Sequence, residues 1–284
     1  MVIPAARFVS PERSKAAPKL GIIAGGGTLP ALLAGACVEN GREYFLLAIE
    51  GFANPALMEG RPHAWLRLGE AGKGIKLLRE QGVEDLVLAG GVRRPSLKEL
   101  RPDLWAIGFF AKLGKAWVGD DSLLSALIGA LETEGFRVVG ADSILADYLA
   151  VSGPYGTILP DDVAQTDMDR GFSAVRRLGE LDIGQAVIVQ QGIVLGVEGA
   201  EGTDRLIRRC ADLHRDGPGG VLVKARKPGQ EQRADLPTIG KTTVEIAIDS
   251  GLRGIAIEAG GVFVFDRDEA IRLASQAGLF IIGV

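Results

Sequence analysis

Short apolar runs alternate with amphipathic stretches along the first half of the chain. Leu20–Ala24, Tyr44–Ile49, Trp65–Leu68, Asp85–Ala89 and Phe136–Gly140 read as strands. A helix is expected after the glycine turn at 25–27, with Thr28 available to cap it and Pro30 in its first turn. Others are expected over Ile75–Gln81 and Leu123–Glu134, and a longer one over 96–118. Strands that alternate with helices imply a parallel sheet, closing a first unit near residue 145.

In the second half, a helix is expected from Asp167 to about Leu178. Ala186–Gln190 and Ile193–Val197 flank a Gln191-Gly192 turn, which makes a hairpin and a partly antiparallel sheet. Thr203 and Asp204 open a helix, and Gly220–Val223 is a strand. A helix over Thr242–Asp249, strands at 254–258 and 262–265, a helix at 268–277 and a strand at 279–283 follow. The expected class is α/β: an N-terminal Rossmann-like parallel-sheet domain, 19–145, and a C-terminal α/β domain with a mixed sheet, 146–284. Residues 1–18 mix Pro, Ala, Ser, Arg and Lys and read as a flexible tail.

Composition narrows the chemistry. The 284 residues fit two domains. A net charge of −4 argues against a nucleic-acid coat. No apolar run approaches the roughly 20 residues needed to span a bilayer, and the first residues lack the apolar core of a signal peptide. The expected location is cytoplasmic. Two cysteines, Cys37 and Cys210, make no disulfide framework, and two histidines, His63 and His214, make no His-rich metal site. A metal would rest on carboxylates, carbonyls and water, which favours Mg2+ or Mn2+.

Charged and glycine clusters follow the strands. Gly25-Gly26-Gly27 with Thr28 and Leu29 is a strand–turn–helix junction whose N–H groups attract phosphate. It meets the dinucleotide fingerprint only in part, because Pro30 stands where the third glycine belongs. A tight first turn in any doubly wound sheet would look the same. Glu50 at the end of the second strand suits ribose hydroxyls, and Arg93 and Arg94 after Gly90-Gly91 suit a diphosphate or a solvated loop. Asp120 and Asp121 open a helix as capping residues or as metal ligands. The apolar positions Leu97, Leu100, Leu104, Trp105, Phe109, Phe110, Leu113 and Trp117 read first as core, and second as a surface for an acyl chain or membrane.

The densest cluster spans 183–240. It holds Glu198, Glu201 and Asp204, then Lys224, Arg226 and Lys227, then Gln230, Glu231, Arg233 and Asp235. No nucleophile elbow, Walker A or kinase signature is present. Carboxylates beside cations suit water attack on phosphorus: an acid orients or deprotonates water, and Lys or Arg meets the developing charge. Asp235 is the expected base or metal ligand, and Lys224 and Lys227 the expected phosphate contacts. The bland reading of Glu198, Glu201 and Asp204 is a capped helix.

At these residues the chain resembles the UDP-2,3-diacylglucosamine pyrophosphatases of lipid A synthesis, of the type unrelated to calcineurin-like phosphoesterases. The resemblance rests on Ile23–Gly27 with Leu29-Pro30, Gly90-Gly91-Val92 with Arg94-Pro95, and Gly119-Asp120-Asp121. It continues through Asp182–Gln185, Glu201-Gly202-Thr203-Asp204, Lys227–Gln230, Asp235–Gly240 and Glu258-Ala259-Gly260. Glu231 departs mildly, where Asp is expected after Gln230. The resemblance implies magnesium-assisted hydrolysis to UMP and 2,3-diacylglucosamine 1-phosphate, a homodimer, and peripheral contact with the inner membrane. It implies Asp235, Glu231, Lys224 and Lys227 as catalytic residues, and Asp235, Asp120 and Asp121 at the metal. Substrate contacts would come from Gly25, Gly26, Gly27, Thr28, Leu29, Arg93, Arg94, Gln185, Glu201, Gly202, Thr203, Asp204, Gln230 and Thr238. The alternatives are a nicotinamide-dependent oxidoreductase, motivated by the glycine turn and Glu50, and a non-catalytic carrier of nucleotide sugars or lipids.

Overall fold

The computed structural model describes residues 17–93, 100–113, 120–228, 233 and 236–284, with the backbone alone at 120–122. The expected tail falls outside this set up to residue 16. The first sheet is parallel throughout and is built of β1 (Leu20–Ala24), β2 (Tyr44–Ile49), β3 (His63–Leu66), β4 (Asp85–Ala89) and β5 (Arg137–Val138). Its order is β3-β2-β1-β4-β5, so the connections reverse direction between β1 and β4. In open α/β sheets ligands bind outside the strand carboxyl ends at such a reversal.

Both faces of this sheet are covered. Leu20, Ile22, Leu46 and Val87 pack against Leu33 and Cys37 of α1 (Leu29–Glu39) on one side. Leu47, Leu66 and Leu86 pack on the other against Ile75 and Leu78 of α3 (Ala71–Glu80) and Ile128 of α5 (Asp120–Thr133). A short α2 (Pro55–Met58) and α4 (Leu104–Leu113) also belong to this half. The expectation that Thr28 caps α1 is corrected: its side chain makes no capping bond, and its backbone already lies in the helical region.

The second sheet is mixed, with β6 (Gly153–Pro154), β7 (Ala186–Gln190), β8 (Ile193–Val197), β9 (Val221–Lys224), β11 (Gly254–Ile257) and β13 (Phe280–Gly283) in the order β6-β13-β11-β9-β7-β8. The β9, β11 and β13 strands are parallel, whereas β7 runs antiparallel to β9 and β8. One face buries Met168, Phe172 and Val175 of α6 (Asp162–Glu180). The other buries Leu206 and Ile207 of α7 (Thr203–Cys210), Val244 and Ala247 of α8 (Lys241–Asp249), and Ala270 and Ala274 of α9 (Arg267–Ala277). A separate two-stranded ladder pairs β10 (Thr238–Ile239) with β12 (Phe263–Val264). Phe263 of that ladder is 1% exposed and belongs to the apolar cluster of the first sheet.

Two helices differ from expectation for identifiable reasons. The α6 helix starts five residues early because Asp161 caps it, accepting the Ala164 N–H at 2.8 Å. Asp167 is then an interior residue, 1% exposed. Its carboxylate accepts the N–H groups of Gln191 (3.0 Å) and Gly192 (2.6 Å), fastening the β7–β8 turn to α6. In the expected 96–118 helix, the described α4 buries only Ala106. It is held by its ends and edges. Asp103 accepts from Ala106 N at 2.9 Å and from Gly72 N at 2.7 Å, so one carboxylate serves the first turns of α3 and α4. Trp105 Nε1 donates to Glu134 Oε1 at 2.7 Å, and Arg79 Nη2 meets Glu134 Oε2 at 2.6 Å.

Asp167→Ala leaves the two turn amides without their charged acceptor and should cost about 2–3 kcal/mol, read as a lower midpoint in urea denaturation. Asp167→Asn should fall between. The Trp105 and Arg79 donors hold the Glu134 carboxyl below the usual glutamate range. Its contribution to stability is thus present above that range and is lost as pH falls through the depressed value. A Glu134→Gln variant should show a shallower acid-side fall in Tm than the native protein.

Candidate functional site

Antiparallel pairing sets the geometry of the second sheet's charged edge. Because β7 runs against β9, Ala186 lies opposite Lys224. The chain entering β7 and leaving β8 therefore meets the carboxyl end of β9. Sequence segments 182–185, 198–204 and 224–227, far apart in the chain, share one edge. The backbone locks them: Ala225 N donates to Gln185 O at 3.1 Å and Glu198 N to Ala186 O at 2.8 Å.

Three buried side chains form a directional chain at this edge. Lys224 Nζ donates to Thr203 Oγ1 at 2.8 Å, and Thr203 Oγ1 donates to Glu198 Oε1 at 2.9 Å. A hydroxyl has one proton and two lone pairs, so it can accept from an ammonium and donate to a carboxylate at once. Lys224 also donates to the Thr238 carbonyl at 2.7 Å. Glu198 Oε2 accepts the Gln185 N–H at 3.2 Å. Lys224 and Glu198 are 4% and 5% exposed. Burying either charge alone would cost several kcal/mol; linked through Thr203, each is hydrogen-bonded and the pair is near neutral. The close approach is permitted by Gly184, where a Cβ would fall 2.1 Å from the Glu198 carbonyl oxygen.

Around this chain the other expected residues separate by role. Lys227 Nζ pairs with Asp182 Oδ1 at 2.6 Å, its side chain 16% exposed. Glu201 binds Arg209 at 2.9 Å and the Gly199 N–H at 3.1 Å. Hydrogen bonds from backbone N–H, its own first, and then from Arg209 hold its carboxyl below the usual range. Glu201 therefore clamps the 198–202 loop. The capped-helix reading is corrected too: Gly202 is the N-cap of α7 and supplies no side chain, while Thr203 turns to Lys224. Asp204 sits in the first turn of α7. Glu258, after β11, accepts the Arg226 N–H at 3.1 Å. The Gln185 side-chain oxygen is buried and has no hydrogen-bond partner among the described residues, a state that is uncommon for a buried polar atom.

The first sheet gathers the remaining described candidates at its own carboxyl edge. The loops after β1 and β4 cross through a Gly26–Gly91 bridge. A Cβ at Gly90 would sit 2.1 Å from Gly26 O, and one at Gly25 would sit 2.7 Å from Gly90 O. These glycines are thus explained by the crossing itself. Gly27, by contrast, has φ +86° and open space around it, beside exposed Thr28 and the start of α1 at Leu29. That leaves backbone N–H groups accessible to an anion. Glu50, Arg67, Arg93 and Arg101 line a cavity of about 470 Å3 at the same edge.

Arg94, Gln230, Glu231 and Asp235 lie outside the described residues, and of Asp120 and Asp121 only the helical backbone is described. Among the described residues no group of three or more His, Cys, Asp or Glu side chains could hold a metal ion. Burial pushes both Cys37 and Cys210 thiols up, which leaves neither as a ready nucleophile. Glu198 is the residue that reading by clusters undervalued; the signal was a carboxylate placed directly after an apolar strand. Thr203→Val should cost about 2–3 kcal/mol in thermal or urea denaturation, because it removes the hydroxyl that links the buried Lys224 ammonium to the Glu198 carboxylate. Thr203→Ser, which keeps the hydroxyl, should restore most of it.

Comparison with known proteins covers both halves. The family profile described as the LpxI N-terminal domain matches residues 19–148, and the LpxI C-terminal domain profile matches residues 151–282. The UDP-2,3-diacylglucosamine pyrophosphatase LpxI of Caulobacter vibrioides is 41% identical over 273 residues, covering 94% of this chain and 97% of that protein. With both profiles matched and one relative aligned almost end to end, the chain belongs to the LpxI family.

Proposed function

We propose that this protein hydrolyses the pyrophosphate bond of UDP-2,3-diacylglucosamine, giving UMP and 2,3-diacylglucosamine 1-phosphate. The observation that carries the reading is the end-to-end identity with a pyrophosphatase of that name. Water adds to one phosphorus, the bridging P–O bond breaks, and the proton from water leaves with the base. In this reading Asp235 orients or deprotonates the water, with Glu231 beside it. Lys224 and Lys227 meet charge developing on the phosphoryl oxygens. The Lys224–Thr203–Glu198 chain supports that role by fixing the ammonium in a dry setting, where its field acts strongly. Gln185 offers a buried acceptor for a substrate hydroxyl or N–H.

The exposed glycine turn at Gly27 and the arginine-lined cavity fit the nucleotide portion. A bound Mg2+ or Mn2+, held by Asp235, Asp120 and Asp121, would neutralise diphosphate charge and polarise the reacting oxygen. The remainder of the proposal is a homodimer working at the cytoplasmic face of the inner membrane. No helix of the described residues is long and apolar enough to cross a bilayer.

The test is UMP release from UDP-2,3-diacylglucosamine dispersed in detergent micelles. Release should require a divalent ion, stop on chelation and return with Mg2+ or Mn2+. Asp235→Ala should lower kcat by roughly a hundredfold or more while substrate still binds. Absence of UMP from the native protein with metal supplied would overturn the reading, and unchanged turnover in the variant would remove Asp235 from it.

A further inference from the structure

The α4 helix is apolar on both faces yet lies at the surface. Trp105, Ala106 and Phe109 face inward, with Trp105 stacked on Phe109 at 5.6 Å between ring centres. The outward positions are Leu104, Ile107, Gly108, Ala111 and Lys112. Their spacing of three and four residues places them on one stripe. Leu104 is 89% exposed and Ile107 51%. Single exposed leucines are ordinary. A surface helix whose water-facing stripe carries Leu and Ile, with its one charge at the far end, is the reverse of the usual pattern and marks a contact with something apolar.

Charge at the rim indicates what that contact is. Arg101 before the helix and Lys112 in its last turn are exposed, as is Arg93 on the neighbouring loop. Nearby acids are mostly committed: Asp103 to two helix starts, Glu134 to Trp105 and Arg79, and Glu70 to Arg67. Glu50 on the same cavity lip opposes this balance, but among the described residues Arg93, Arg101 and Lys112 outnumber it. The described rim is thus cationic on a chain whose net charge is −4. A two-fold contact between copies would set this small patch against itself and bring its cations together. Two large exposed side chains also fall well short of the roughly 800 Å2 per partner of a stable interface.

We propose that α4 seats the protein on an anionic phospholipid bilayer. Leu104 and Ile107 enter the acyl boundary while Arg101 and Lys112 meet headgroup phosphates. Leu100 and Arg101 also line the cavity at the first sheet's carboxyl edge, so the seat adjoins the proposed nucleotide site. The inference rests on the pyrophosphatase reading to the extent that a diacylated substrate gives the protein a reason to meet the membrane.

The test is co-sedimentation with phosphatidylcholine vesicles, with and without phosphatidylglycerol, beside UMP release from micellar substrate. The native protein should partition onto the phosphatidylglycerol vesicles, less onto pure phosphatidylcholine, and less as salt rises. Leu104→Glu with Ile107→Glu should lower partitioning at least about tenfold. Because both positions face solvent, Tm and micellar UMP release should stay unchanged. Equal vesicle binding by variant and native protein, or no binding by either, would overturn the proposal. So would a variant whose only change is a smaller mass in sedimentation equilibrium, which would identify a contact between copies. Failure of the native protein to release UMP would instead count against the pyrophosphatase reading, and the vesicle result would still decide the role of α4.

Discussion

A lysine ammonium that is 4% exposed is the constraint around which the second half of this protein is arranged. Such a charge is tolerable only if every direction from it ends in an acceptor. The fold supplies these from distant places: a threonine at a helix start, a carbonyl on a two-residue strand, and a glutamate one hydroxyl further away. Each supplier has its own requirement. Thr203 needs the positive φ of Gly202 before it, and Glu198 needs the bare backbone of Gly184 beside it. The antiparallel placement of β7 satisfies all of them, since only that direction brings the start of β7 to the end of β9. The departure from parallel order at β7 is therefore tied to the sheet's chemistry.

How far the residues alone disclose this depends on the range of the interaction. The alternation of apolar runs and amphipathic stretches was enough for two α/β units, and the Gln191-Gly192 hairpin announced a mixed second sheet. Local capping was less readable. Asp161 and Asp167 look alike in sequence; one caps α6 and the other reaches across to a turn 24 and 25 residues away, and only packing separates them. The Rossmann-like glycines are a mixed case. Gly25 and Gly90 answer to two loops crossing, a contact between distant segments that sequence does not announce, whereas Gly27 retains open space.

The charged clusters were visible, but their internal division of labour was not. Glu201 stands among the expected substrate contacts and is also bound to Arg209 and the backbone of its own loop, ties that its motif does not announce. Glu198 reads as a helix-capping acid and is the buried end of the Lys224 chain. The difference lies in which way each side chain leaves a loop, and that is set by neighbours on β7 and β9. The α4 helix shows the converse problem. Its abundance of Leu, Trp and Phe suggests core, and the structure divides those residues between an aromatic inner face and a water-facing stripe.

Phe263 carries a consequence for how the chain is made. It lies near the C-terminus yet fills the apolar cluster built on Leu20, Ile22 and Leu33, with Leu236 and Phe265 packed beside it. A polypeptide emerging from the ribosome can pair the first sheet's strands long before this plug is synthesised. Until then the nascent first half exposes an unfilled apolar hollow, a surface that chaperones hold and that aggregation exploits. The two halves are consecutive in sequence but not in completion: residues 236–265 finish the core of the first sheet.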